Sequence, residues 1–213
     1  MNGLKSKYEL ALNFENSGYF LPAYSLFKEC LNERKNDLGD LLFHCAWCIE
    51  NINTSDKRRS VSYYLLAAKL ASDVVCRMNA YFRAGWILRH LEENSEALNA
   101  FSRAIEIGHS EGIFNSIYND ALYWFAVTLE SDNKFLDAIK IYKAVSSLSD
   151  ELNPESRFRE LHCQIAIGKY PEAIELCKSF ELPPPPGFSG ERYSEIKDMA
   201  NREKSKLEIC YQR

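Results

Sequence analysis

Residues 92–105 read EENSEALNAFSRAI and residues 133–146 read NKFLDAIKIYKAVS, and these two stretches decide the fold because they are variants of one unit. In each, an alanine, Ala97 or Ala138, is followed four positions later by a large ring, Phe101 or Tyr142, and seven positions later by Ala104 or Val145. Spacings of four and seven place all three side chains on one face of a helix. The unit recurs at residues 18–31, GYFLPAYSLFKECL, with Ala23, Phe27 and Cys30, and at residues 168–181, GKYPEAIELCKSFE, with Ala173, Cys177 and Phe180.

Each unit is preceded by a second amphipathic stretch, YELALNFENS, MNAYFRAGWILRHL, NDALYWFAVTLES or RFRELHCQIAI, which ends at a short polar or glycine-containing break. The pattern predicts helical hairpins. Ala23 and Ala97 lie 74 residues apart, twice 37, and the later intervals are 41 and 35, so one more hairpin is expected near residue 60. DLLFHCAWCIENI and SVSYYLLAAKLAS supply it, joined by NTSDKRR, with Ser60 at the small position. A single hairpin cannot bury its apolar face alone, so five of them should stack into a solenoid with a continuous core. The repeat region is placed at 1–182, a proline-rich linker, PPPPGFSG, at 183–190, and a C-terminal helix at 191–213. That helix carries Ile196, Ala200, Glu203, Leu207 and Cys210 at near-helical spacing. It is expected to cap the last hairpin, to lie in a groove or to pair with another subunit.

Composition agrees with an all-α chain. Nine glycines and seven prolines in 213 residues are too few for a turn-rich β fold, and four of the prolines sit in one run. Thirty acidic against 26 basic residues give a net charge of −4, which argues against nucleic acid and anionic membranes as partners. No apolar run approaches the roughly 20 residues that span a bilayer, and MNGLKSKYEL lacks the apolar core of a secretory signal. A cytoplasmic location is the expectation. Seven cysteines, an odd number, fit reduced thiols in a reducing compartment.

The pattern resembles the tetratricopeptide repeat. Gly18, Phe20, Ala23, Phe27 and Cys30 carry the resemblance in the first unit, and Tyr81, Gly85, Leu88, Ala97, Phe101 and Ala104 in the third. Leu122, Ala126, Leu129, Phe135, Ala138 and Tyr142 carry it in the fourth, and Gly168, Tyr170, Ala173 and Cys177 in the fifth. Unit lengths of about 35 to 41 exceed the usual 34, and the first helix of the fifth unit matches poorly. The resemblance implies a right-handed superhelical solenoid whose first helices face a concave groove.

Aligning the first helices on their small residue puts Tyr8, Phe43, Phe82, Tyr123 and Phe158 at one position, and Leu12, Trp47, Trp86, Val127 and His162 one turn later. Such a stripe is either inter-repeat core or an apolar groove for a peptide or amphipathic helix, with aromatic anchors as hot spots. Arg83, Arg89, Trp124 and Arg159 share that face and would favour a partner with acidic as well as apolar side chains. Some members of the family grip a C-terminal carboxylate with lysine and asparagine on the first helices. Here Tyr8 and Leu12 occupy the corresponding first positions and only Arg83 remains, so that clamp is not expected.

Chemistry has no comparable signal. His44, His90, His109 and His162 are scattered, no phosphate-binding or nucleophile motif occurs, and no cofactor or metal is expected. The cluster His44, Cys45 and Cys48 has zinc-like or redox spacing but lacks a second ligand pair, and reads as small core residues of a helix. Lys57, Arg58 and Arg59 form a basic run in an expected loop. The reading is a non-catalytic interaction scaffold or adaptor that binds another protein, with self-association through the C-terminal helix as a further route. An RNA-binding helical repeat and a metal or thiol enzyme built on His44, Cys45 and Cys48 are the alternatives.

Overall fold

The structure, a computed structural model, describes residues 6–33, 37–52, 56–184, 188 and 190–211, and these form eleven helices and no strand. Ten of them make five hairpins: α1 Lys7–Asn16 with α2 Phe20–Glu33, α3 Leu38–Asn51 with α4 Lys57–Leu70, α5 Val74–His90 with α6 Asn94–Glu111, α7 Ser116–Ser131 with α8 Phe135–Leu148, and α9 Asn153–Ala166 with α10 Tyr170–Ser179. The last helix is α11, Gly190–Tyr211. No helix among the described residues is long and apolar enough to cross a membrane.

Polar side chains set the starts of α1, α3, α4 and α5. Ser6 accepts from the Glu9 amide at 3.2 Å while the Glu9 carboxylate accepts from the Ser6 amide at 2.9 Å, a reciprocal cap of α1. Asp37, Asp56 and Asp73 cap α3, α4 and α5 through the amides of Asp40, Arg58 and Cys76. The Asp56 cap moves the basic run out of the expected loop, because Lys57, Arg58 and Arg59 are the first turn of α4. Lys57 donates to the Glu50 carbonyl oxygen, Arg58 pairs with Glu93 at 2.5 Å, and Arg59 donates to the Tyr24 hydroxyl at 2.6 Å. All three cations therefore have partners within the protein.

Four hairpins turn through one left-handed residue at the same place, Gly18, Glu92, Asn133 or Gly168. The following amide reaches back to close the first helix: Tyr19 to the Phe14 carbonyl, Glu93 to Leu88, Lys134 to Leu129 and Lys169 to Gln164, all between 2.8 and 3.0 Å. The corresponding turn of the second hairpin lies outside the described residues.

The chain divides into two compact units, Met1–Tyr118 and Asn119–Arg213. In the first, α2 packs between α1 and α3, α4 packs between α3 and α5, and α6 covers α5. In the second, α8 and α10 pack on α9, and α11 packs on α9 and α10. In the first and third hairpins a small residue of the first helix meets a large one of the second. Ala11 and Phe27 share one buried cluster, and a Cβ on Gly85 would lie 2.9 Å from the Phe101 ring. The fifth hairpin reverses the sizes. Leu161 stands on the first helix and Cys177 on the second, both fully buried in one cluster, so the volume is kept although the pattern is inverted.

A polar ladder joins the first hairpin to the second, the second to the third, and the fourth to the fifth. Glu50, near the end of α3, accepts from the Tyr64 hydroxyl of α4 at 2.8 Å and pairs with Arg83 of α5. Glu130 of α7 repeats this with Tyr142 of α8 at 2.6 Å and Arg159 of α9 at 3.0 Å. In the first hairpin Glu15 pairs with the His44 Nδ1 at 3.0 Å, and Phe27, without a hydroxyl, stacks on the imidazole at 4.9 Å. Burial and the adjoining Glu50 hold the Tyr64 phenol well above its ordinary range, and burial and Glu130 do the same for Tyr142.

The α11 stripe is spent inside the second unit. Tyr193, Ile196, Ala200 and Leu207 are buried with Leu161, Ala173, Cys177 and Phe180. The tyrosine hydroxyl donates to the Leu182 carbonyl at 2.8 Å. Of the proline-rich stretch, residues 185–187 and 189 lie outside the described residues, as does the Cys210 side chain.

Two consequences follow for stability. Glu50→Gln should lower the unfolding free energy by about 3 kcal/mol, because it leaves a largely buried Arg83 without its counter-charge; denaturant titration at neutral pH measures it. Leu161→Ala should cost about 3 kcal/mol through the cavity it opens, and adding Cys177→Phe should restore part of that loss by giving the fifth hairpin the size order of the first and third.

Candidate partner-binding face

The first helices place their aromatic residues by register, and the packing of each ring shows how much of it is available. Tyr8 sits edge-on to Phe27 at 6.0 Å, Phe43 to Tyr64 at 5.3 Å and Tyr123 to Tyr142 at 6.1 Å, while Phe82 tilts against Phe101 at 6.2 Å. Each ring thus leans on the large residue of its own second helix. Phe82 goes furthest, with 9% of its surface exposed, and is core. Tyr8, Phe43, Tyr123 and Phe158 remain half-buried. The stripe is therefore packed along one edge and open along the other.

One turn later the residues diverge. Trp47 and Trp86 are half-buried and sandwich the Arg83 guanidinium, at 4.8 and 4.9 Å from their ring centres. Val127 is buried. His162 is exposed and tilts against Phe158 at 4.4 Å. Arg89 and Trp124 are both half-buried.

Two cavities open on these surfaces. In the first unit, Glu15, Phe43, Trp47, Asn79, Phe82 and Arg83 line about 290 Å³. In the second, Tyr123, Trp124, Phe158, Arg159 and His162 line about 590 Å³ together with Asp120, Leu152, Glu155, Arg192 and Met199. Sequence reasoning missed the last five. Asp120 lies one turn before Trp124 and reads as an ordinary solvated carboxylate, while Arg192 and Met199 belong to α11, outside the repeat register. A third cavity, about 540 Å³, lies in the first unit, with Val61, Leu65, Tyr81 and Leu88 among its apolar lining and Arg58, Lys69 and Arg103 among its charged lining.

The arginines do not offer free charge. Arg83 is held by Glu50, and Arg159 by Glu130 at 3.0 Å and by the Tyr123 hydroxyl at 3.1 Å. The expected attraction for an acidic partner thus loses two of its cations to internal acids.

The thiol cluster is not built for chemistry. Cys45 and Cys48 are fully buried, and His44 lies between Glu15 and Asp40, 3.0 and 3.7 Å away. Burial pushes the Cys45 thiol up to about 12, and burial and Glu15 raise Cys48 further, so neither is a ready thiolate. Cys163 and Cys177 are buried as well, their thiols pushed up to about 12 and about 11. Among the described residues no group of three or more histidine, cysteine or carboxylate side chains could hold a metal ion.

No family model matches the chain, and no curated protein matches it. Solved structures do. The chain is similar to the MamA RS-1 double mutant, at 15% identity and a TM-score of 0.65 over 96% of this chain and 99% of that one. It is similar to the nearly identical TPR-like repeats of a Podosopora anserina protein named for kinesin light chain, at 12% identity and 0.61 over 92% and 95%. It is also similar to a Rap protein complexed with competence and sporulation factor, at 12% identity and 0.58, covering 97% of this chain and 60% of that one. At such identities the likeness speaks for the fold alone, and with the hairpin register it establishes that this chain has the TPR-like helical-repeat fold.

Proposed function

We propose that this protein is a non-catalytic interaction scaffold whose first-helix face binds a peptide or helical segment of another protein through aromatic and apolar contacts. The observation that carries it is the open edge of the stripe, where half-buried rings at matched positions line a cavity in each unit. Aromatic side chains half-covered by their own fold lose little conformational entropy on binding and bury much area, which suits them as anchors. Internal pairing of Arg83 and Arg159 favours protein over RNA as the occupant, because it removes cations that would otherwise meet phosphates. A Rap protein of similar fold is complexed with competence and sporulation factor, which supports partner binding as a use of the fold and says nothing of which partner binds here. Among the described residues six cysteines are free thiols and five of them are buried, which fits a reducing, cytoplasmic setting.

Phe82 is a poor probe of this face because its loss would open the core. Trp124→Ala and His162→Ala test it better. Affinity capture with the wild-type chain should retain a defined set of proteins that the double variant loses, with hot-spot losses of about 30-fold in affinity and little change in melting temperature. Retention of the same set by both forms would show that the partner binds elsewhere.

A further inference from the structure

The cavity of the second unit contains charges of both signs, and they do not all cancel. Arg159 is paired with Glu130 at 3.0 Å, and Arg192 reaches both Glu155 and Glu195 at 2.8 Å. Asp120 is the exception. It lines the same cavity, half-buried, and among the described residues it has neither a hydrogen bond nor an ion pair. Its carboxyl is held above the ordinary carboxylate range, first by burial and then by the neighbouring Glu151, as expected of an acid that nothing compensates.

Around this acid stand aromatic rings. Tyr123 and Trp124 follow Asp120 on α7 by three and four positions, so all three share one helical face, and Phe158 of α9 lines the cavity with them. Tyr123 and Trp124 meet edge-on at 5.5 Å. Aromatic faces attract cations, and a carboxylate among them supplies the counter-charge.

We propose that this cavity receives a basic side chain, a guanidinium or ammonium group of the bound segment, with Asp120 as its counter-ion and Tyr123, Trp124 and Phe158 as its aromatic walls. The proposal rests on the partner-binding reading of the face and names the chemistry of one contact within it. It reverses the charge preference expected from sequence, because the arginines of the site already have carboxylates and the one carboxylate without a cation is the feature left to satisfy.

The test uses the isotope-labelled full chain and three small probes, N-acetyl-arginine amide, N-acetyl-citrulline amide and N-acetyl-glutamate amide. The Trp124 indole NH is assigned by a Trp124→Phe variant. The arginine probe should shift that signal and bind about tenfold more tightly than citrulline, its neutral isostere. Asp120→Asn should reduce arginine binding to the citrulline level while the rest of the amide spectrum stays in place. Equal binding of arginine and citrulline in the wild type, preference for glutamate, unaltered arginine binding by Asp120→Asn, or no shift at Trp124 at tens of millimolar probe would each overturn the proposal. If the probes fail while Trp124→Ala and His162→Ala still abolish protein capture, the face binds a partner and only the basic-side-chain assignment falls.

Discussion

The close crossing of two helices within each hairpin is the contact on which the remaining structure depends. It requires a small residue opposite a large one, and the hairpins meet that demand with Ala11 opposite Phe27 and Gly85 opposite Phe101. Where the first helix carries Leu161, the second carries Cys177. Once the helices are that close, the ring beside each small residue has nowhere to go but against its own second helix, and its outer edge is left toward solvent. The half-open aromatic stripe is thus a by-product of packing before it is anything else.

The polar ladder bears on the proposed recognition as well as on stability. Glu50 and Glu130 each tie a second-helix tyrosine to an arginine of the next hairpin, at a cost in desolvation that only a complete network offsets. By engaging those arginines, the ladder removes them from the pool of groups that a partner could use. On the proposed reading, a partner at this face meets aromatic surface, together with Asp120 in the second unit.

Much of this was legible in the chain itself. Alanine and large-residue spacings gave the hairpins, and the turns fall at constant offset before those alanines, with Gly18 five residues before Ala23 and Gly168 five before Ala173. Glu92 at the same turn was not legible, because a glutamate carries no preference for left-handed backbone and is held there by its neighbours. The placement of Lys57, Arg58 and Arg59 was misread because Asp56 works as a helix cap, a role that one residue signals only weakly. Pairing was invisible for a different reason. Arg83 and Arg159 lie 33 and 29 residues from their acids, and only the stacking of hairpins brings them together.

The contribution of α11 to the second cavity separates two kinds of constraint. Residues such as Tyr123 and Phe158 serve the cavity and the repeat at once, so exchanging them disturbs the hairpins that hold them. Arg192 and Met199 answer to no repeat position, yet they line the same cavity. Arg192 ties α11 to Glu155 of α9 and Met199 packs against the core of the second unit, so substitution there changes the cavity lining through the docking of α11 and not through the crossings within the hairpins. On the proposed binding role, the terminal helix is accordingly the part of the fold through which the lining of this cavity can change without rewriting the repeat.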